Sequence, residues 1–310
     1  MELRGSKIHP RGPQAVMGRE RIFIIGAQGF LGAHAARKCA EVFDVFTGSR
    51  AAATDPGGVQ IDITDQAGVD EAFQRVQPDA VLLLAALSDI DRCQAEPDRA
   101  FAVNVRGPEH VANACVRTNA SLLFTSSAAV FDGSKHGYTE EDAVSPVSVY
   151  GKTKAGAEAV VLGLDPSAIV LRFALVLGFA GRKGTNAMLE NLSERWAGGT
   201  PVATPTFEYR NPIDAGALSS FMLELLRNEQ AHGIFHAGAS ESISRYNLNV
   251  KLAERMGYSR KLVLAQTEPD RGRAPRGLDH FLLTDKLRAV CYTPIPSCDQ
   301  VIARCFDAVA

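Results

Sequence analysis

Short apolar runs alternate with amphipathic stretches along the first 177 residues of the chain. The first run covers 21–25 and ends at a glycine, and comparable runs cover 42–47, 80–86, 121–126 and 168–173. Stretches with helical periodicity fall between these runs, over 30–41, 69–76, 97–105 leading into 108–118, and 150–162. Uninterrupted apolar runs are typical of strands that are buried on both faces of a parallel sheet. The alternation therefore predicts an α/β fold with a doubly wound parallel sheet.

The pattern changes beyond residue 177. Strand-like runs become shorter and less regular, and glycine and proline interrupt them more often. Residues 21–177 are predicted to form the main domain, and 178–310 mostly a smaller substrate-binding lobe from which some segments return to the main sheet. Residues 1–20 carry no core-forming pattern and are predicted to form a flexible tail.

Composition and charge exclude several classes of function. Hydrophobic residues make up 46% of the chain, and the formal net charge is -2. Without an excess of positive charge, the chain is not expected to bind nucleic acid or an anionic membrane. No apolar run approaches the roughly 20 residues that cross a bilayer. Six cysteines occur without a CxxC pair, which predicts reduced thiols and a cytoplasmic location.

A glycine-rich motif follows the first predicted strand. Gly26, Gly29 and Gly32 form the pattern G-x-x-G-x-x-G at the start of the first predicted helix. Glycine permits a sharp turn and the close approach of a pyrophosphate, and the free N–H groups of the helix N-terminus favour an anion. The motif therefore predicts an NAD(P)-binding Rossmann domain over residues 21–177. The other cofactor contacts predicted within the motif are Gln28, Phe30 and Leu31.

The end of the second predicted strand lacks the acidic residue that would bind the ribose 2′-hydroxyl of NAD. Ser49 and Arg50 lie there instead and suit a 2′-phosphate, so NADP(H) is favoured and NAD(H) is the alternative cofactor. Arg50 could also be a solvated loop arginine. Asp62 and Ile63 follow the third strand, where Asp62 is placed to reach the adenine. N-capping of the next helix suits Asp65 better.

Tyr150 and Lys154 lie four residues apart, on one face of a predicted helix. A nearby ammonium would lower the pKa of the phenol, which could then exchange a proton with a carbonyl or carbinol oxygen. Ser127 follows an apolar strand at the sheet edge where doubly wound folds bind ligands, and its hydroxyl could donate to the same oxygen. A solvated helix face and an ordinary turn or cap are the alternatives for the pair and for the serine.

Taken in order, these motifs resemble the extended short-chain dehydrogenase/reductase family over residues 21–290. They read GAQGFLG, DITD, LLAALSDIDRCQAEP, FAVNVRGPEHVANAC, TSSAAVFDG, YGKTK and LRFALVLG. Within the family, the chain is similar to the dTDP-4-dehydrorhamnose reductase branch. The similarity lies in VFDG, RNPID and RAPRGLD, and in Asp91 together with Glu96-Pro97. Ala128 and Ala129 stand where that branch usually carries Asp-Tyr, which leaves a serine strand similar to that of the epimerases.

The resemblance implies a role for several side chains. Tyr150 would donate a proton, and Ser127 would polarise the substrate carbonyl. Lys154 would tune the pKa of Tyr150 and hold the nicotinamide ribose. Asn104 would support the active-site helix and contact the cofactor, and Arg172 would lie near the loop on the nicotinamide side. The remaining implied contacts are Ala85 and Ala86 to the cofactor, and Ser88, Asn186, Arg210 and Arg273 to the substrate.

The resemblance also implies an activity, an NAD(P)-dependent reductase of a nucleotide-activated 4-keto sugar. One alternative is a nucleotide-sugar epimerase or dehydratase that retains its cofactor. Another is a non-catalytic, NADP-binding regulatory subunit, such as the β subunit of methionine adenosyltransferase. Arginine suits the diphosphate of such a sugar, although Arg210 could instead anchor the loop before Asp214. By analogy, two copies could pair through the helices that carry Asn104 and Tyr150.

Two further patterns are set aside. Gly151-Lys152-Thr153 resembles the end of a phosphate-binding P-loop, but Pro146 occupies the position of the required glycine. His232 and His236 flank a predicted strand and lack a third ligand, so no metal site is predicted.

Overall fold

The structure is a computed structural model and describes residues 19–51, 57–179 and 188–307. Its helices, in chain order, are α1 (Phe30–Cys39), α2 (Gln66–Val76), α3 (Ile90–Ala95), α4 (Pro97–Phe101), α5 (Gly107–Thr118), α6 (Val149–Leu164), α7 (Met188–Ala197), α8 (Ala215–Arg227), α9 (Arg245–Arg255), α10 (Asp285–Val290) and α11 (Cys298–Asp307). Its strands are β1 (Arg21–Ile25), β2 (Asp44–Ser49), β3 (Gly58–Gln60), β4 (Ala80–Leu83), β5 (Ser121–Thr125), β6 (Ile169–Phe173), β7 (Leu175–Leu177), β8 (Val202–Pro205), β9 (Tyr209–Arg210), β10 (Pro212–Asp214), β11 (Gly233–Ala237), β12 (Ile243–Ser244), β13 (Val263–Gln266) and β14 (Asp279–His280).

One seven-stranded sheet organises the molecule. Its spatial order is β11-β6-β5-β4-β1-β2-β3, and every neighbouring pair is parallel. The chain therefore winds outward from β1 in both directions, which confirms the predicted doubly wound α/β fold. In such a sheet, ligands bind outside the carboxyl ends of the strands, at the point where the strand order reverses.

Two apolar layers cover the sheet. On one face, Ile22 and Ile24 of β1 pack with Leu218, Phe221 and Met222 of α8. The other face packs side chains from α2, α5 and α6 against the alternate residues of the same strands. Because the central strands are covered on both sides, β1 and β4 carry consecutive rather than alternate apolar residues.

The C-terminal half contributes to both parts of the molecule. Helix α8 packs against α1, and β11 pairs with β6 at the edge of the main sheet. The smaller lobe contains α7, α9 and α11, together with the parallel pair β8 and β13. Trp196, Leu248 and Val301 lie in its separate apolar core. Two short sheets, β7 with β10 and β12-β9-β14, lie in the same half of the chain.

Several predicted boundaries move by two or three residues. The second strand begins at Asp44 rather than at 42, because the N–H groups of Val42 and Phe43 both donate to the Cys39 carbonyl and close the end of α1. The strand predicted over 80–86 ends at Leu83, because the next two N–H groups both donate to the Ile25 carbonyl. Apolar character alone could not separate these turn residues from the strands.

The helical stretch 97–118 contains a π-helical turn over Ala102–Arg106, between α4 and α5. A π turn inserts an extra residue into the helix, and such turns are frequent at functional sites. Asn104 lies in this turn and is 1% exposed.

Candidate active site

A cleft of about 800 Å³ opens at the carboxyl edge of the main sheet. It lies where strand order reverses, between β1 and β4, and it extends towards the end of β2 in one direction and towards α6 in the other. The cofactor contacts predicted from the sequence that line it are Gly26, Gln28, Gly29, Phe30, Leu31, Gly32, Ser49, Arg50, Asp62, Ile63, Ala85, Ala86, Tyr150 and Lys154. The fold thus brings fourteen residues from distant parts of the sequence to one cleft.

The glycine-rich turn has the geometry that its sequence requires. Gly26 has a φ of 97°, in the left-handed region that favours glycine, and a Cβ there would lie 2.7 Å from the Ala85 nitrogen. A Cβ at Gly32 would overlap the carbonyl oxygen of Gly26. Gly29 is the N-cap of α1 and offers no side-chain cap, so the first N–H groups of that helix are left for a ligand in the cleft.

The far end of the cleft carries one cationic and one acidic group. Arg50 is exposed at the end of β2, and Asp62 lies opposite it beyond β3. Both the N–H and the hydroxyl of Thr64 donate to Asp62, and these bonds lower the pKa of its carboxyl group. Asp65 caps α2 through the Ala67 N–H, which confirms its predicted capping role.

Tyr150 lines the opposite end of the cleft, and Ser127 lies beside it. The Ser127 hydroxyl is hydrogen-bonded to the Tyr150 side chain, and it also accepts from the Ala129 N–H at 3.2 Å. A Cβ at Gly151 would overlap the Ala129 carbonyl oxygen, so glycine at this position lets α6 approach the turn that follows β5. Ser148 caps α6 through the Gly151 N–H and fixes where that helix begins.

The pKa of Tyr150 departs from the sequence expectation. Burial raises it to about 12, and the hydrogen bond with Ser127 only partly opposes that rise. The expected lowering by Lys154 was wrong for this structure, because desolvation of the phenolate is the larger effect.

Lys154 is almost fully buried, at 2% exposure. Its ammonium donates to the Thr125 carbonyl oxygen at 2.6 Å, and it lies 4.3 Å from the centre of the Phe124 ring. Burial lowers the pKa of Lys154 to about 8, whereas the carboxylate of Glu158 opposes that fall. The amine is thus held against the end of β5. Its pKa of about 8 means that a minor fraction is deprotonated at neutral pH.

Asn104 supports the cleft from behind. Its amide oxygen accepts from the Leu87 N–H at 2.8 Å, and its amide nitrogen donates to the Leu87 carbonyl at 3.0 Å and to Thr153 at 3.1 Å. It therefore joins the loop after β4 to α6. These bonds agree with the supporting role that the family resemblance implies, and they give Asn104 no direct place in the lining.

The C-terminal arginines differ in how many hydrogen bonds and ion pairs they make within the protein. Arg210 is 8% exposed, and its guanidinium donates to the carbonyl oxygens of Tyr209, Gly277 and Leu278 and to the carboxylate of Glu208. All of these bonds lie within the protein, as the anchoring interpretation of Arg210 expects.

Arg273 and Arg276 belong to a loop that lies against α3. Arg276 pairs with Asp91 through two bonds of 3.1 and 2.8 Å, and the Ala274 N–H donates to the same carboxylate. Arg273 lies 3.6 Å from Asp91 and is half exposed. Together these donors hold the pKa of Asp91 at about 2. The ion pairs connect the smaller lobe to the helix beside the cleft.

Arg245, which the sequence analysis did not single out, lies at the start of α9. Its guanidinium is close enough to Glu208, Arg273 and Arg276 to feel their charges, and it makes no hydrogen bond or ion pair with any residue of the described ranges. Burial lowers its pKa. No local pattern marks Arg245, because its charged neighbours come from two segments that are distant from it in the sequence.

Further predicted and unpredicted residues complete the site. Ser88 lines the cleft, whereas Asn186 falls outside the described residues. The cleft is also lined by side chains that sequence reasoning missed, namely Asp89, Arg92, Arg99, Thr125 and Ser126. His236, set aside as a metal ligand, is buried beneath the site, and the described residues contain no group of three or more side chains suited to hold a metal ion. None of the described helices has the length and apolar character needed to span a bilayer.

Comparison with known proteins gives a consistent result. Residues 20–310 match the family model described as RmlD substrate binding domain. A dTDP-4-dehydrorhamnose reductase from Mycolicibacterium smegmatis is 31% identical over 241 residues, which are 77% of this chain and 70% of that protein. Methionine adenosyltransferase 2 subunit beta from Xenopus tropicalis is 25% identical over 274 residues, which are 87% of this chain and 82% of that protein.

A solved structure shows the same fold. The dTDP-4-dehydrorhamnose reductase from Bacillus anthracis, in complex with NADP, superimposes with a TM-score of 0.85 at 22% identity. The match covers 94% of this chain and 99% of that one. The two chains therefore share the same overall fold.

Proposed function

The chain belongs to the RmlD substrate binding domain family, and from that premise we propose that it is an NAD(P)-dependent reductase of a nucleotide-activated 4-keto sugar. The observation that carries the proposal is that Tyr150, which is hydrogen-bonded to Ser127, and Lys154 line the same cleft as the glycine-rich turn. A ketone that reached Tyr150 in this cleft would meet a proton donor. The name of the Mycolicibacterium smegmatis relative supports the substrate class.

The cleft suits a nicotinamide dinucleotide, which would supply the hydride for reduction. Gly26, Gly29 and Gly32 leave space for the pyrophosphate, and no side chain caps the first N–H groups of α1, which could bind it. Lys154 would hold the nicotinamide ribose. We favour NADP(H) because Arg50, rather than an acid, follows β2 in the described part of the lining. Arg50 would then contact the 2′-phosphate through a charge-assisted bond.

The three polar side chains divide the work of proton transfer. Tyr150, with a pKa of about 12, is protonated at neutral pH and can donate to the oxygen of the substrate as negative charge develops there. The Ser127 hydroxyl, which is bonded to Tyr150, would orient and polarise the same oxygen. Lys154 is the stronger acid of the pair and would stabilise the tyrosinate until it regains a proton.

The smaller lobe would bind the diphosphate of the sugar nucleotide. Arg245 has a guanidinium without a protein partner in the described ranges, and Arg273 is half exposed beside it. Arginine forks match phosphate oxygens well. We therefore assign the diphosphate to Arg245 and Arg273, and we give Arg210 the role of anchoring the loop that carries Arg273.

Two other functions have specific support. Ala128 and Ala129 favour an epimerase or dehydratase, in which the cofactor is regenerated within each turnover. The Xenopus tropicalis relative favours a non-catalytic, NADP-binding regulatory subunit, although Ser127, Tyr150 and Lys154 are all present here. A homodimer and a cytoplasmic location stay predictions from the sequence.

Stoichiometry separates the three functions. The chain is mixed with NADPH and a nucleotide-activated 4-keto sugar, and absorbance of the reduced cofactor is followed together with product formation. A reductase oxidises one NADPH for each sugar reduced. An epimerase or dehydratase should instead convert a nucleotide sugar that carries the 4-hydroxyl, supplied in a parallel reaction with oxidised cofactor, without net change of that cofactor. A regulatory subunit converts neither sugar.

A further inference from the structure

A carboxylate that no motif singled out lies directly beneath the candidate active site. Glu158 is 4% exposed and follows Lys154 by one turn of α6. Its Oε1 accepts hydrogen bonds from the Ser126 hydroxyl and from Arg172 Nε at 2.9 Å, and its Oε2 accepts from Arg172 Nη2 at 2.6 Å. Both carboxylate oxygens are therefore occupied, and Glu158 cannot turn towards Lys154 without breaking a bond.

Arg172 is fixed from its other side. It is 2% exposed, its Nη1 donates to His236 Nε2 at 3.4 Å, and its guanidinium lies 5.0 Å from the centre of the Phe131 ring. Burial lowers the pKa of His236 to about 3, so this ring is neutral, and its Nδ1 donates to the Tyr138 carbonyl at 3.2 Å. The chain of contacts runs from β11 through β6 to α6.

Stability alone gives no reason for this arrangement. Removing two charges from water is unfavourable, and apolar residues of similar volume often stabilise a core as well as a buried ion pair does. Glu158 and Lys154 instead contact two successive residues at the carboxyl end of β5. Ser126 donates to Glu158, and the carbonyl of Thr125 accepts from Lys154. Both residues line the cleft, and Ser127 follows them.

We propose that Glu158 is a positioning residue, which Arg172 holds in place so that its carboxylate fixes the end of β5 and keeps Lys154 protonated. This role rests on the proposed function, in which Lys154 must carry a positive charge beside Tyr150. The charged and titratable groups that act on Lys154 are Glu158 on α6 and Cys93 on α3, with Arg172 of β6 behind the carboxylate. Tyr150 lines the same cleft as Lys154.

The electrostatic direction follows from those neighbours. Burial favours the neutral amine, and the negative charge of Glu158 opposes this effect. The Cys93 thiol is buried, and burial raises its pKa to about 11, so it stays neutral near pH 7. Glu158 thus supplies the nearby negative charge at neutral pH. If it were neutralised, the buried amine would lose its proton at a lower pH, and Tyr150 would lose the ammonium beside it.

The test follows the ionisation of Lys154 directly. Protein labelled with ¹³C at lysine Cε is titrated by NMR, and the Lys154 signal is assigned by its loss in Lys154→Met. Glu158→Gln should lower the midpoint of that titration by about one pH unit or more. Glu224→Gln is the matched control, because this carboxylate accepts hydrogen bonds from the N–H groups of Tyr292 and Thr293, far from the cleft. In this variant the Lys154 midpoint should equal that of the unaltered chain.

Two further variants protect the test from a folding defect. Glu158→Gln with Arg172→Gln removes both buried charges together. It should still lower the midpoint, but by less than Glu158→Gln alone, because the positive charge of Arg172 is lost as well. Glu158→Asp retains the charge and should recover a midpoint closer to that of the unaltered chain. An unchanged Lys154 midpoint in either folded variant that lacks the Glu158 charge would overturn the proposal.

The readout needs no substrate, so it is independent of the proposed reaction. If no keto sugar is reduced but the midpoint falls as expected, the proposed function is wrong and the control of Lys154 by Glu158 stands. In a working reductase, the alkaline limb of the kcat profile should move to lower pH with the midpoint. A profile that does not move would contradict the catalytic consequence.

Discussion

The glycine-rich cleft and the arginine-containing face of the smaller lobe use polar groups in opposite ways. Around Gly26 and Gly29, backbone donors are left open because the sequence provides no side chain to cap them. Arg210, in contrast, donates to three carbonyl groups and a carboxylate of its own protein. Arg245, a short distance along the chain, has no such partners in the described ranges. A charged residue therefore indicates a binding site only when its partners in the fold are known.

The two regions also differ in how directly function depends on one atom. Replacing Tyr150 with phenylalanine should have the largest effect on turnover, because the ring is retained and only the hydroxyl group that delivers the proton is lost. Turnover should fall by about 10²–10⁴-fold, and affinity for the cofactor should change little. Steady-state kinetics and cofactor titration measure both quantities. Tyr292→Phe, at a side chain that is 96% exposed, is the control and should react like the unaltered chain.

Within the smaller lobe, Arg210 and Arg245 should respond differently to the same change. Arg210→Gln leaves buried oxygen atoms without donors, so the free energy of unfolding should fall by about 3–5 kcal/mol. Arg245→Gln should leave unfolding nearly unchanged and weaken binding of the nucleotide sugar by about 1.5–3 kcal/mol. Denaturation and calorimetric titration separate the two effects. Equal loss of sugar affinity without loss of stability in both variants would contradict the assignment of Arg210 as an anchor.

At the other end of the cleft, the expected effect is selective rather than general. Arg50→Ala should weaken binding of NADPH by about 1.5–3 kcal/mol and leave binding of NADH nearly unchanged, because only NADPH carries a 2′-phosphate. Fluorescence titration with each cofactor gives the comparison. Arg75→Ala, at an exposed arginine of α2, is the matched control. Parallel losses for both cofactors in Arg50→Ala would rule out the proposed phosphate contact.

A separate effect concerns the pH dependence of stability, and it comes from two histidines buried beneath both regions. Burial lowers the pKa of His236 and of His280 to about 3, from the usual 6.5, so the folded chain binds fewer protons than the unfolded one between these values. Each histidine should therefore make stability fall by about 1.4 kcal/mol per unit as pH decreases through this window. The raised pKa values of Glu140 and Asp214 act in the opposite direction.

Comparison with a variant isolates the histidine effect. His280→Gln keeps a donor for the Phe131 carbonyl, and its stability should depend less on pH between about 6.5 and 4. Chemical denaturation at several pH values measures the slope. An identical slope in the variant and the unaltered chain would contradict the neutral, buried state assigned to His280.

The same contrast explains what the sequence could predict. The sequence predicted Gly26, Tyr150 and Lys154 as site residues, because each belongs to a motif whose spacing places it on a known part of a strand–turn–helix unit. Glu158 had a signal of its own, since it lies four residues after Lys154 on the same helix, but nothing local indicated its partner Arg172. Arg245 had no signal, because two segments distant in the sequence supply its charged neighbours.

Boundaries and pKa values required the fold for a similar reason. Phe43 is apolar like a strand residue, yet it is 2% exposed within the turn that ends α1. The spacing of Tyr150 and Lys154 predicted an interaction that lowers the phenol pKa, whereas desolvation by surrounding groups raises it. Burial depends on every element packed around a side chain, and local sequence spacing does not contain that information.

Isotope transfer tests the central claim most directly. The chain is incubated with NADPH that carries deuterium at the transferable position of the nicotinamide, together with a nucleotide-activated 4-keto sugar. If the chain is a reductase, the product sugar should contain one deuterium at the former carbonyl carbon, and one NADPH should be consumed for each product. A product without deuterium, formed with no net consumption of NADPH, would contradict the account.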